Sequence, residues 1–250
     1  MTSARKTKKN SGTGLDHKVK SNFLDKSSLS RVKPLTENQQ KAFEDYRAGD
    51  HLLLLGTAGT GKTFIGVYLA LNDVLTGHLY SSVTLVRSGV QSRDMGFLPG
   101  NLTEKMELYE NPYVSICSEL FDRGDAYDVL KKSKTIEFLS TSFLRGTTFR
   151  NSVVVVDEVQ NMNAMELHTV MTRVGENCRI IFCGDLRQSD LINTREKSGL
   201  RDFLTVVDRM QSFSHIEFTA EDIVRSGLVR EYILKREELE DLELVERLNV

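Results

Sequence analysis

An eight-residue segment has the residue types and spacing needed to hold a chain of phosphates. It reads Gly56-Thr57-Ala58-Gly59-Thr60-Gly61-Lys62-Thr63 and matches the pattern GxxxxGK[ST]. Its glycines allow the backbone to wrap around an anion, and a following helix directs the positive end of its dipole to the same point. The Lys62 ammonium can neutralise the β- and γ-phosphates, and the Thr63 hydroxyl can ligate Mg²⁺. We therefore predict a phosphate-binding loop for a magnesium-bound nucleoside triphosphate.

The flanking residues predict the elements that such a loop requires. The run His51–Leu55 is too apolar for a half-exposed strand and is typical of a central parallel strand covered on both faces. Apolar residues through Ile65–Leu75 predict a helix after the loop, ending at Gly77. Upstream, Thr36–Gln39 fits a capping box and predicts a helix that ends at Gly49. This order of elements disfavours the alternative of an ordinary glycine-rich turn.

A pair of acids follows a second buried run. Four valines, Val153–Val156, predict a core strand, and Asp157 would emerge at its carboxyl end, where open α/β sheets bind ligands. Asp157 could hold the water shell of the metal, and Glu158 could polarise an attacking water. The alternative for Asp157 is the N-cap of a helix over Met162–Val174. Because Glu158 would activate water, the pair favours hydrolysis over transfer of the phosphoryl group by a kinase.

Two further apolar runs extend the predicted sheet. Ile136–Leu139 predicts another core strand, and Arg179–Cys183 predicts a strand that leads into a polar turn. Gln188 follows that turn and could sense the γ-phosphate, with an exposed loop amide as the alternative. Alternating strands and helices of this kind indicate an α/β fold.

Together these segments resemble the PhoH family, P-loop ATPases with a single core similar to that of superfamily 1 helicases. The resemblance covers about residues 34–235. The segments that carry it are Gly56–Thr63, Arg87, Gly96-Phe97-Leu98-Pro99-Gly100, Phe143-Leu144-Arg145-Gly146, Asp157-Glu158 with Gln160-Asn161, Gly184-Asp185 with Gln188, Lys197-Ser198-Gly199-Leu200 and Asp222-Ile223-Val224-Arg225. GFLPG followed by DE-x-QN is specific to this family among P-loop proteins.

The resemblance implies a RecA-like P-loop core, with a mostly parallel sheet flanked by helices on both faces, that binds and hydrolyses ATP with Mg²⁺. In the helicase-like pattern, Gln39 would read the adenine, Gln188 would contact the γ-phosphate and Arg225 would act as an arginine finger. Arg87 and Arg145 would touch single-stranded nucleic acid, RNA or DNA. For these two arginines, surface or phosphate-side structural roles are the alternative.

The length of the chain bears on how such a core would work. About 60 residues follow Gln188, enough for a helix near 197–210, a strand near 215–219 and a terminal helical segment, but not for a second core. An arginine finger acts across an interface, so we expect Arg225 to complete the site of a neighbouring copy. Head-to-tail contacts of this kind close into rings, and a hexamer is expected by analogy with RecA-like rings. The competing hypothesis is an ATP-switched assembly module without unwinding activity.

Charge is distributed unevenly along the chain. Residues 1–33 hold nine Lys and Arg against Asp16 and Asp25, a local charge of +7, so a net charge of −2 leaves −9 for the remainder. We expect 1–33 to be a flexible basic tail, either solubilising or an arm for nucleic-acid phosphates. Residues 34–250 would form the ATPase domain, with 91–133 as a helical extension packed on the sheet and 230–250 as a C-terminal helix.

Several classes of protein are disfavoured by what the sequence lacks. No apolar run approaches the roughly 18 residues of a membrane-spanning helix, and the basic N-terminus leads into polar residues without an apolar signal segment. The three cysteines, Cys117, Cys178 and Cys183, show no metal-ligand spacing. We therefore expect a cytoplasmic protein without a membrane partner, and we assign none of the scattered histidines to catalysis or metal binding.

Overall fold

Six short strands form one parallel sheet at the centre of the molecule, for which a computed structural model describes residues 23–77, 79–88, 102–185 and 196–248. The strands are β1 (His51–Gly56), β2 (Ser82–Arg87), β3 (Ile136–Ser140), β4 (Ser152–Val156), β5 (Cys178–Gly184) and β6 (Phe213–Phe218). They lie in the order β3-β2-β4-β5-β1-β6, and every neighbouring pair is parallel. The predicted α/β class is confirmed.

Helices cover both faces of this sheet. They are α1 (Glu37–Ala48), α2 (Lys62–Thr76), α3 (Leu102–Phe121), α4 (Ala126–Lys132), α5 (Ala164–Thr172), α6 (Glu196–Val207) and α7 (Gly227–Leu248). Because side chains alternate along a strand, Leu52 and Leu54 pack with α1–α4, whereas Leu53 and Leu55 pack with α5 and α6. This two-sided burial explains why the central strands β1, β4 and β5 contain unbroken apolar runs.

Element boundaries follow local signals in the sequence. The Thr36 hydroxyl accepts a hydrogen bond from the Gln39 amide at the start of α1, and Gly49 ends that helix in the left-handed conformation. The predicted core strand at Ile136 forms as β3, but it lies at the edge of the sheet and alternates between buried and exposed side chains. Within the described part of the chain, no helix combines the length and apolarity that crossing a membrane requires.

The helical extension packs on the sheet through α3 and α4. Tyr113, Cys117 and Leu130 are fully buried in the same cluster as the inward side chains of α2. The part of the predicted extension at 91–101 lies outside the described residues. Helix α3 also lines the cavity that holds the predicted phosphate-binding loop.

The packed structure begins earlier in the chain than we predicted. Leu24 and Leu29 are buried in the hydrophobic cluster that contains the inward side chains of α2 and α3, here called the α2–α3 cluster. The Ser30 amide donates a hydrogen bond of 2.8 Å to the Leu120 carbonyl. The prediction of a flexible tail through residue 33 is therefore wrong for residues 23–33, because two apolar side chains anchor this segment. Residues 1–22 lie outside the described part. At the other end, α7 begins at Gly227 rather than at residue 230.

Candidate functional site

The phosphate-binding loop joins the carboxyl end of β1 to the first turn of α2. Gly56 has a φ of 123°, and a Cβ built on it would lie only 1.9 Å from the Phe218 carbonyl oxygen, so only glycine allows the chain to leave β1 beside β6. Gly61 is the N-cap of α2 and provides no side-chain cap, which leaves the amide groups of the first turn available to an anion.

Lys62 lies inside the loop with its ammonium surrounded by oxygen. Its Nζ donates to the carbonyl oxygens of Gly56 at 2.8 Å and Thr57 at 2.6 Å, and to the Thr60 hydroxyl at 3.2 Å. Burial lowers the pKa of Lys62, while nearby acids, Asp185 foremost, oppose that shift. The ammonium is thus held at the loop by neutral acceptors, and a bound phosphate would add the counter-charge that these acceptors do not provide.

Asp157 meets the loop at the carboxyl end of β4. The Thr63 hydroxyl donates to Asp157 Oδ1 at 2.7 Å, and the phenol of Tyr113 donates to Asp157 Oδ2 at 3.0 Å. Asp157 is buried and does not cap a helix, because Asn163 caps α5 in a reciprocal capping box. The structure therefore excludes the alternative of a capping role for Asp157. Tyr113 had no motif to mark it, and sequence reasoning missed it.

Glu158 follows in the left-handed conformation, with φ 55° and ψ 46°. Burial, followed by the neighbouring charge of Asp157, raises the pKa of Glu158, and Arg87 opposes that rise. An Arg87 nitrogen lies 3.8 Å from Glu158 Oε1. Arg87 is therefore on the phosphate side, in agreement with the structural alternative that we considered for it. A carboxylate whose pKa is raised is a better proton acceptor than an ordinary glutamate.

Gln160 links the acid pair to the end of β5. Its Nε2 donates to Glu158 Oε2, and its Oε1 accepts from the Asp185 amide at 3.0 Å. Gln160 and Asp185 are both buried and line the site, although our prediction did not include them as site residues. Their place in the DE-x-QN and Gly-Asp segments was the available signal. Gln188, the predicted γ-phosphate sensor, lies outside the described residues.

Gln39 connects α1 to the loop. Its Oε1 accepts from the Leu35 amide at 2.8 Å, and its Nε2 donates to the Thr60 carbonyl at 3.0 Å. Gln39 is buried and lines the cavity that holds the loop. In this structure it braces the loop, and its role in reading adenine stays a prediction.

Arg225 lies on the loop of its own chain. The Val224 amide donates to the Gly59 carbonyl at 3.2 Å, and a Cβ built on Gly59 would lie 3.0 Å from Arg225 Cγ. Arg225 thus lines the cavity of its own chain, whereas we predicted that it would complete the site of a neighbouring copy. Arg145, in contrast, is exposed on a turn after β3 and does not line the cavity.

These groups surround a cavity of 690 Å³, a volume within the range of ligand-binding pockets. Loop residues, Arg87, both acids, Gln160, Asp185 and Arg225 line it, together with four residues of α3, Pro112, Ser115, Ile116 and Glu119. A cavity of 730 Å³ between α1 and α2 has neither loop nor acid pair, and its one acid, Asp73, is occupied by Tyr46 and Arg179. We therefore place the site in the cavity that contains the loop.

The donor set fits Mg²⁺ held jointly with phosphate. Among the described residues, no group of three or more His, Cys, Asp and Glu side chains could hold a metal ion. Mg²⁺ is commonly bound by one or two protein oxygens together with substrate phosphates and waters, which Thr63 and Asp157 could provide. The arrangement of loop, lysine and strand-end acid is that of a P-loop nucleotide-binding site.

Comparison with protein families gives one match over most of the chain. The family model described as "PhoH-like protein" matches residues 31–236. A PhoH-like protein of Mycobacterium leprae is 31% identical over 214 residues, 85% of this chain and 60% of the relative. One from Bacillus subtilis is 31% identical over 209 residues, 83% of this chain and 64% of the relative. The chain thus spans less than two thirds of the length of these relatives.

Solved structures give looser likenesses. The large terminase of a thermophilic bacteriophage has a TM-score of 0.47 and 12% identity, covering 80% of this chain and 50% of the terminase. A Bacteroides Pif1 solved with ADP-AlF4 has a TM-score of 0.41 and 15% identity, covering 78% of this chain and 44% of Pif1. Because these TM-scores and sequence identities are low, the assignment of the candidate site rests on the geometry of this chain alone.

Proposed function

Because this chain belongs to the PhoH family, we propose that it is an Mg²⁺-dependent ATPase whose hydrolysis is coupled to single-stranded nucleic acid. The observation that carries the hydrolytic part is the 2.7 Å hydrogen bond between Thr63 of the loop and Asp157 of β4. It brings a loop hydroxyl and a strand-end carboxylate together at the first turn of α2, where a metal-bound triphosphate is held in P-loop enzymes.

The residues around that contact suit in-line hydrolysis. Amides at the start of α2 and the Lys62 ammonium would bind the β- and γ-phosphates, and the bound Mg²⁺ would neutralise developing charge on them. Glu158 would orient a water and accept its proton as the water oxygen attacks the γ-phosphorus. The bond from that phosphorus to the β–γ bridging oxygen breaks, which leaves ADP and inorganic phosphate. Arg87 and Gln160 hold the two oxygens of Glu158 for this task.

Arg225 would stabilise the charge of the transferring group from within the same chain. Its backbone follows Val224, which is hydrogen-bonded to Gly59, and its side chain lines the cavity. Among the described residues, one copy of the chain therefore brings the loop, both acids and Arg225 to one cavity, and we propose that Arg225 serves the site of its own chain rather than that of a neighbour in the homo-oligomeric ring that we predicted.

Coupling to nucleic acid is supported by the edge of the sheet that holds the loop. Because all strands are parallel, β3 ends at the same edge as β1. Phe143 and Arg145 follow β3 there, and both are exposed. An aromatic ring for stacking and a cation for phosphate are the two groups that single-strand binding uses. The alternative function, an ATP-switched assembly module, would use the same loop and acids without this surface.

The test is steady-state ATP hydrolysis with and without single-stranded RNA and DNA. We expect one polymer to stimulate turnover, Arg145→Ala to reduce the stimulation, and Arg150→Ala to preserve it, because Arg150 is an exposed arginine that precedes β4 at the opposite edge of the sheet. Lys62→Ala should abolish productive ATP binding, and Glu158→Gln should retain binding but stop turnover. Hydrolysis that neither polymer stimulates would favour the assembly module. Normal hydrolysis by Glu158→Gln would contradict the assignment of the base.

A further inference from the structure

One face of α3 contacts Asp157 directly and contacts Arg87, which in turn faces Glu158. Tyr109 and Tyr113 are four residues apart and so lie on the same side of the helix. Tyr113 donates to Asp157, while Tyr109 lies under the guanidinium of Arg87, 5.9 Å from ring centroid to cation, and Arg87 faces Glu158. The extension therefore approaches the phosphate site through two aromatic side chains, one on Asp157 and one on the arginine that faces Glu158.

The contact of Tyr113 is the more direct of the two. Its side chain is fully buried, and its ring packs 5.8 Å from that of Phe138 on β3, so the phenol is held from several sides. Asp157 is also buried, and its two oxygens have different partners: Thr63 of the loop on Oδ1 and Tyr113 on Oδ2. The Tyr113 phenol thus holds Asp157 Oδ2 on the side of the helical extension, and Asp157 Oδ1 then faces the phosphate-binding loop.

We propose that Tyr113 is a positioning residue for the metal site: by holding Asp157 Oδ2, it keeps Oδ1 beside Thr63, where Asp157 and Thr63 would hold the Mg²⁺ that accompanies ATP. This inference rests on the proposed function and assigns the helical extension a role in it. Groups that orient a metal-side carboxylate set metal affinity, and their loss commonly costs 10- to 100-fold. Removing the phenol should therefore weaken Mg²⁺ binding while the phosphate contacts of Lys62 remain.

The chain offers a matched control for the loss of a buried phenol. Tyr127 of α4 is also buried, and its hydroxyl donates at 2.6 Å to Glu110, a carboxylate on α3 outside the phosphate cavity. Tyr113→Phe and Tyr127→Phe each remove one phenol-to-carboxylate hydrogen bond from the same extension. If these bonds only stabilise the fold, the two variants should show the same Mg²⁺ dependence.

The experiment is a Mg²⁺ titration of ATP hydrolysis in the wild type and both variants, with thermal unfolding measured alongside. We expect Tyr113→Phe to raise the half-saturating Mg²⁺ concentration about tenfold, with turnover at saturating Mg²⁺ within about twofold of the wild type. Tyr127→Phe should match the wild type in its Mg²⁺ dependence, whatever its unfolding temperature. Equal Mg²⁺ dependence of the two variants would overturn the inference.

A binding measurement separates this inference from the proposed function. The Mg²⁺ dependence of binding of a fluorescent ADP analogue should shift in the same direction for Tyr113→Phe, without any turnover. A wild type that binds the analogue but hydrolyses no ATP would refute the proposed ATPase activity, yet the shift would still support the positioning role. An active wild type with no shift in either assay would refute the positioning role alone.

Discussion

The Thr63 hydroxyl and the Asp157 carboxylate, 94 residues apart in the chain, are joined by a hydrogen bond of 2.7 Å. The contact unites the first turn of α2 with the end of β4, two strands away from β1 in the sheet. Parallel strands bring their carboxyl ends to one edge, and this edge is where a loop after β1 and an acid after β4 can share a metal.

Replacing Thr63 tests the chemistry of this contact. Thr63→Ala removes the hydroxyl that would ligate Mg²⁺, and we expect ATP hydrolysis at limiting Mg²⁺ to fall about 10- to 100-fold. Thr63→Ser retains the hydroxyl and should retain most of the activity. The measurement is the steady-state rate across a range of Mg²⁺ concentrations. An unchanged rate for Thr63→Ala would remove this residue from the metal site.

A mixing experiment decides whether Arg225 acts within one chain. Arg225→Ala should lose about 10³-fold or more in turnover, the range for removal of an arginine finger. Mixing it with Glu158→Gln should restore no activity, because each chain then lacks one group of its own site. Restored hydrolysis would instead show that a neighbouring copy supplies Arg225, as our prediction of a ring required.

Gly56→Ala should damage the fold at the start of the loop. The added Cβ would lie 1.9 Å from the Phe218 carbonyl oxygen and 2.7 and 2.8 Å from the C and N atoms of the same residue, all of them backbone atoms that cannot rotate away as a side chain could. We expect the free energy of unfolding in urea to fall by at least about 2 kcal/mol. Gly77→Ala is the control, because Gly77 also has positive φ but no atom within 4 Å of a built Cβ. A smaller loss, about 1 kcal/mol, is expected there. Equal losses would show that the close approach to β6 has no cost of its own.

The segment before residue 34 should contribute to stability. Leu29→Ala removes a buried side chain from the α2–α3 cluster, and we expect a loss of about 2–4 kcal/mol in urea unfolding. Leu35→Ala serves as the comparison, because that side chain is largely exposed and its loss should cost no more than about 0.5 kcal/mol. If the two variants were equally stable, residues 23–33 would be the flexible tail that the sequence suggested.

His51 should make the fold sensitive to mild acid. Burial, assisted by Arg179, lowers the pKa of His51, and its Nδ1 accepts a hydrogen bond from the Ile180 amide at 3.3 Å, which requires an unprotonated nitrogen. A lowered pKa in the folded state means that this stability is fully present above about pH 6.5 and is lost as the pH falls through the lowered value. His51→Asn offers an acceptor that does not titrate. Thermal unfolding between pH 7 and 5 should therefore show a smaller pH dependence for the variant, and identical slopes would contradict the assignment.

Local patterns predicted some features of this molecule well. The loop, the strand before it and the helix after it are adjacent in the chain, so their relation depends on glycine conformations and apolar runs that a sequence displays directly. The predicted start of the folded domain at residue 34 was wrong, because the true start depends on contacts between segments that are not adjacent in the chain. Leu24 and Leu29 lie in a charged, serine-rich stretch, and only the hydrophobic surface that they meet on α2 and α3 makes them core residues.

The sequence by itself determined the chemistry that the chain carries: a phosphate loop, a lysine, a hydroxyl and two acids at strand ends, each defined by neighbours in the chain. Only the tertiary structure decided how these groups are held. Tyr113 reaches Asp157 from the extension, Gln160 bridges Glu158 to β5, and Arg225 returns to the loop of its own chain. Those contacts depend on how separate helices and strands pack against one another. The periodicity of apolar residues predicts individual elements, but it does not predict the distances between elements that are far apart in the chain.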